Sequence, residues 1–103
     1  MFNVTFIKNT FDAPSPDSNA RFAALRRDDQ LPFAPTVGQE FFWATEKAQK
    51  VVAVTWNFEE SSFTCKVEDE FVDALGIDAF DFDELVENAP CRGWKVVRIF
   101  DAK

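Results

Sequence analysis

Between Glu68 and Glu87 the chain carries nine carboxylates and not one lysine or arginine. Carboxylates at that density are suited to three kinds of chemistry: paired acid and base work, coordination of a hard cation, or a negative surface offered to a basic partner. Acid and base work needs a pocket that moves two pKa values apart, which spacing alone does not supply. Asp78, Asp81 and Asp83 are close together and rich in oxygen, yet they lack the glycine and the distal bidentate glutamate of a calcium loop. No metal or other cofactor is therefore expected. Half of the eighteen acids lie in this stretch, so the formal charge of −7 divides into about −9 here and +2 elsewhere. An electrically lopsided molecule is steered toward surfaces of the opposite sign, and a carboxylate array fits a site built for phosphates.

Other reactive groups are scarce. With no histidine and no tyrosine, the usual proton shuttle and the base of a nucleophilic triad are both missing. Cys65 and Cys91 are too few and too far apart for a disulfide framework or a zinc knuckle. Cys65 shares an alternating run with Phe63 and Val67 and reads as a small core residue, whereas Cys91 adjoins Arg92 near a helix end. Gly38 stands alone and cannot form a phosphate-binding loop. Arg21, Arg26 and Arg27 are the one basic cluster in an acidic chain, which argues against direct nucleic-acid binding. Asn3-Val4-Thr5 fits the glycosylation acceptor pattern, but the pattern is common and no secretory signal is expected to give it meaning.

The elements that must position these residues are legible from periodicity. The 103 residues suit a single domain over 1–103, and no run approaches membrane-spanning length, which points to a soluble cytoplasmic protein. Thirteen phenylalanines and three tryptophans supply a core of rings without hydroxyl handles. Phe2 to Lys8 alternates as a strand. Ser15-Pro16-Asp17 reads as the start of a helix over about 16–27, with a loop over 31–38 after it. Residues 40–68 form a three-strand meander in which Val52, Val54, Trp56 and Phe58 share the heavier face, so Trp56 and Val54 are expected inside and Lys50, Asn57 and Lys66 outside. Asp69 to Leu75, closed by Gly76, suits a short helix. A second helix over about 82–88 is expected, with Asp81 as its N-cap, Glu84 completing a capping box, Phe80 and Leu85 as a staple, and Pro90 as its stop. Gly93 to Phe100 then alternates as a last strand.

The architecture expected is α+β: about five strands in a mainly antiparallel sheet or partly closed barrel, carrying a meander at 40–68 and two short helices. The function expected is a small acidic non-catalytic protein-binding module, an inhibitor or immunity-type protein that blocks a basic, nucleic-acid-binding kind of surface on another protein. Asp73, Asp78, Asp83 and Glu87 have the fewest structural duties in the acidic stretch and are the expected partner-binding residues. The alternatives are an assembly subunit without electrostatic mimicry and a small enzyme that uses carboxylates. An acidic surface also simply keeps a domain soluble.

Overall fold

The structure is a computed structural model that describes residues 1–13, 20–43, 48–71 and 82–101. Among the described residues the strands are β1 (Phe2–Phe11), β2 (Phe22–Leu31), β3 (Glu40–Phe41), β4 (Gln49–Asn57), β5 (Ser62–Val67), β6 (Glu70–Phe71) and β7 (Lys95–Phe100), with one α-helix, α1 (Phe82–Asn88). They form a seven-stranded mixed sheet in the order β3-β4-β5-β1-β2-β7, with β6 also pairing with β1. The expectation of about five mainly antiparallel strands is corrected on both counts. Beyond the hairpins, β1 runs parallel to β5 and to β6, so the long-range pairings are of the kind that no local turn signal announces. The strand order has two ends among the described residues, so the sheet does not close into a barrel.

Two compact units divide the chain, residues 1–7 with 26–68 and residues 8–25 with 69–103. In the first, the meander is present: β3 pairs antiparallel with β4 and β4 with β5. The turn into β3 uses Gly38 at a φ of 90°, which an L side chain resists, and its N–H donates to the Val51 carbonyl at 2.8 Å. The expected faces of β4 need correcting. Val51 pairs with Val67 and Ala53 with Lys66, so Val52 is an extra residue in a bulge. Val51 therefore takes the inner position, and Val52 is exposed. Beyond the bulge Val54 and Trp56 do face the same way as Cys65 and Phe63, the residues opposite them. Trp56 nonetheless keeps 40% of its surface in solvent and Phe58, in the turn, 86%. Burial on this face is concentrated at Val4, Phe6, Val51, Cys65 and Val67. Phe41 and Trp43 meet the Phe6 ring edge-on, at 4.9 and 5.1 Å between centroids.

The expected helix over 16–27 is overturned for its described part, because Phe22–Leu31 is a strand. Ala, Leu and Arg are helix formers, and local propensity does favour a helix there. What outweighs it is a ladder of rings. Phe71, Phe11, Phe22 and Phe100 stack in sequence at 5.4, 4.9 and 4.7 Å, each pair within 28° of parallel. A ring at Phe22 can join neighbours on both sides only if its backbone is extended between two strands. The extended form also buries Ala23 and Leu25, two residues apart, on the other face. The start of the expected helix at Ser15 and Pro16 lies outside the described residues, as do most of the expected helix at 69–75, the Asp81 cap and the Phe80 staple. Glu70–Phe71, inside that expected helix, is strand.

The helix α1 falls where the sequence places it. It is followed by a 3-10 turn, Pro90–Arg92, which ends at Gly93 with a φ of 88°. Phe82 is its buried residue, and the Arg21 guanidinium lies 4.6 Å from the Phe82 ring centroid. The last strand carries Trp94 buried just before it, with Val97 and Ile99 exposed on the opposite side.

Candidate functional site

Of the four expected partner-binding residues, Asp83 and Glu87 can be placed. Both are exposed on α1, four residues apart and so on one face of the helix, one turn from each other. Asp83 has an internal duty as well, since Arg21 reaches its Oδ1 at 3.3 Å while donating to Asp12 Oδ2 at 3.0 Å. Glu87 has no such partner among the described residues. Asp73 and Asp78 lie outside the described residues, as do Asp78 and Asp81 of the expected oxygen cluster. Among the described residues no group of three or more acidic or thiol side chains is arranged to hold a metal ion. No described helix is long and apolar enough to cross a membrane.

The clustered arginines sit on or beside β2 rather than on a helix, and each is matched by an acid. Arg26 meets Asp28 at 3.2 Å and Arg27 meets Asp29 at 2.8 Å, both across a two-residue strand spacing that puts them on one face. The Arg27 guanidinium also lies 4.9 Å from the Trp43 ring centroid. Neutralised one by one, they do not form a basic stripe for phosphates.

A group that sequence reading missed is a buried ionic cluster. Lys8 has no solvent exposure, and its Nζ lies 3.3 Å from Glu70 Oε2 and 4.5 Å from the Trp94 ring centroid. Thr10 donates its hydroxyl to Glu70 Oε1 at 3.0 Å, and Arg92 approaches Oε2 at 3.4 Å. The other end of that guanidinium donates to the Leu85 carbonyl at 3.1 Å, one of the last carbonyls of α1 that the helix leaves without an internal partner. One arginine thus ties the helix end to the cluster. Burial pushes the Glu70 carboxyl up, but the charges of Lys8 and Arg92 and the bonds from Thr10 and Lys8 outweigh it, and the group rests below its ordinary value. The sequence signal was present: Lys8 and Thr10 continue the inward alternation of Val4 and Phe6, and a lysine in that register must find an acid. A sealed Lys8 cannot meet a substrate without local opening, so the cluster holds the unit together rather than presenting a nucleophile.

The outer face of the first unit bears a shallow polar hollow of about 620 Å³ lined by Asn3, Thr5, Asp28, Gln30, Glu60 and Ser62. Four of its polar groups pair, Thr5 donating to Asp28 at 2.7 Å and Gln30 to Asn3 at 3.1 Å, whereas the buried Ser62 hydroxyl has no hydrogen-bond partner among the described residues. These two bonds, and Asp12 N–H to the Arg21 carbonyl at 2.9 Å, join residues whose numbers share one sum. That is the signature of β1 and β2 running in opposite directions.

The thiols behave as the sequence suggests. Cys65 is fully buried, and burial raises its pKa to about 11, while Cys91 is exposed. With a thiol reagent at pH 8 we expect Cys91 to react at once and Cys65 only as fast as the protein opens. Equal fast reaction of both would show that β5 is not packed as described. Compared with protein-family models, with curated proteins and with solved structures, the chain matches none.

Proposed function

We propose that this protein is a small acidic, non-catalytic protein-binding module that engages a basic surface of another protein, as an inhibitor or immunity-type protein does. The observation that supports this reading is how the basic residues are used. Lys8, Arg21, Arg26, Arg27 and Arg92 each have a carboxylate partner within their own unit. Those five are held by acids, while Glu40, Glu59, Glu60 and Glu87 face outward in a chain that carries seven more acids than basic residues. A basic surface, including one that normally holds nucleic acid, is attracted to such a field at a distance. The assembly-subunit reading has its own support in β7, the last strand in the sheet order, which leaves Val97 and Ile99 exposed.

The test is reversal of Asp73, Asp78 and Glu87 to lysine together, with Asp83 kept because Arg21 already holds it. The circular dichroism spectrum should stay near wild type. Association with the protein retained from host extract should slow about tenfold at low salt, and its salt dependence should flatten. Binding that survives the reversal with its salt response intact would leave the stretch as a solubilising surface only.

A further inference from the structure

At one end of the first unit, the face that buries Val4 and Phe6 runs out into solvent as a row of rings. Phe2 meets Phe63 at 5.8 Å, Phe63 meets Trp56 at 4.9 Å, and Trp56 meets Phe58 at 6.1 Å, all edge to face. The Trp56 and Phe58 planes stand at 88°, two walls of an open corner. Phe2, Trp56 and Phe58 are all exposed. The hairpin tip beside them is a defined turn: Glu59 and Glu60 N–H both donate to Asn57 Oδ1, at 2.9 and 3.2 Å, and Ser61 takes a left-handed φ of 51°.

Charge at this end has one sign. From Val51 to Cys65, and from Met1 to Ile7, the charged side chains are Glu59 and Glu60 alone. Elsewhere Trp43, Phe82, Trp94 and Phe100 each have a lysine or arginine over the ring. Among the described residues Trp56 and Phe58 have none. Perpendicular ring faces carrying negative quadrupoles, with Glu59 following Phe58 directly and Glu60 next in the same turn, form surroundings that favour a cation arriving from outside. The apolar floor of Phe2 and Phe63 favours an apolar neighbour to that cation.

We infer that the tip of the β4–β5 hairpin is a docking surface for a protein segment that presents an arginine or lysine beside apolar side chains. The cation enters the corner of Trp56 and Phe58, drawn there by the negative charge of the Glu59–Glu60 turn, and the apolar neighbours cover Phe2 and Phe63. The inference rests on the basic-partner reading above and moves the contact to a surface other than the acidic stretch at 68–87.

The probe is a synthetic peptide of alternating arginine and leucine, with a counterpart carrying glutamate in place of arginine, titrated by calorimetry against the full chain. Binding of the arginine peptide should weaken about tenfold in Phe58→Ser and again in Glu59→Gln with Glu60→Gln, and the glutamate peptide should not bind. Phe58 is so exposed that its change should leave the fold intact, which the circular dichroism spectrum checks. Equal binding of both peptides would reduce the surface to general apolar stickiness and overturn the inference, as would wild-type affinity in the hairpin variants. Self-association of the wild type that Phe58→Ser abolishes would assign the surface to a second copy and overturn it too. The host protein retained by the wild type separates the two readings. If it is lost on reversing Asp73, Asp78 and Glu87 but kept in the hairpin variants, the docking surface fails while the basic-partner reading stands; if neither set changes it, both fail.

Discussion

Glu70→Ala is expected to destabilise the protein by about 3 to 5 kcal/mol, because it leaves Lys8 and Arg92 facing each other without the carboxylate that lies between them. That is a large part of the stability of a chain this size, commonly about 5 to 15 kcal/mol, and urea denaturation followed by circular dichroism would read it. The loss is one of unbalanced charge more than of a missing contact. Changing Lys8 to methionine in the same molecule as Glu70→Leu should therefore recover the part due to Lys8, the remainder being the cost of an Arg92 left with the Leu85 carbonyl but no carboxylate. A Glu70→Ala protein within about 1 kcal/mol of wild type would show the cluster to be open to water.

The same carboxyl sets a pH dependence whose sign follows from its depressed value. A carboxyl bound more tightly as an anion in the folded state adds stability above its unfolded pKa, and that stability is lost as the pH falls through the folded one. Between pH 7 and about 5 the contribution of Glu70 should be constant. In more acid solution it should fade, and Glu70→Gln should flatten the difference between neutral and acid pH.

Phe6→Ala is expected to cost about 3 to 5 kcal/mol, while Trp56→Ala should cost only about 1 kcal/mol. Phe6 is 1% exposed and loses edge contacts with both Phe41 and Trp43, whereas Trp56 is 40% exposed and rests on Phe63 and Phe58. Sequence alone ranks these the other way. The alternation places Trp56 on the heavier face of a central strand, and its size makes it the natural anchor. Comparable losses for the two variants would mean that something covers the Trp56 end of the face in solution.

Residue order by itself determined those elements whose partners are close in sequence or whose pattern is unambiguous. β1 follows from strict alternation of Phe2, Val4 and Phe6. The meander follows from two polar breaks of hairpin length, and α1 from its position ahead of Pro90. The burial of Cys65 between Phe63 and Val67 is of the same kind. Tertiary structure alone decided the rest. The bulge at Val52 shifts which valine is inside, because one unpaired residue reverses the side of every position before it. Phe22–Leu31 is a strand because Phe11 and Phe100 stack on either side of Phe22, with Phe71 stacked beyond Phe11, and a local helix propensity worth tenths of a kcal/mol per residue does not outweigh that. Lys8 and Glu70 stand 62 positions apart, and only the parallel pairing of β1 with β6 makes them partners. Whether a face is inside is settled by what lies across it: Phe41 and Trp43 cover Phe6, and the same face ends uncovered at Trp56 and Phe58. Alternation specifies which residues share a side of a strand, but burial depends on an opposing surface that residue order does not place.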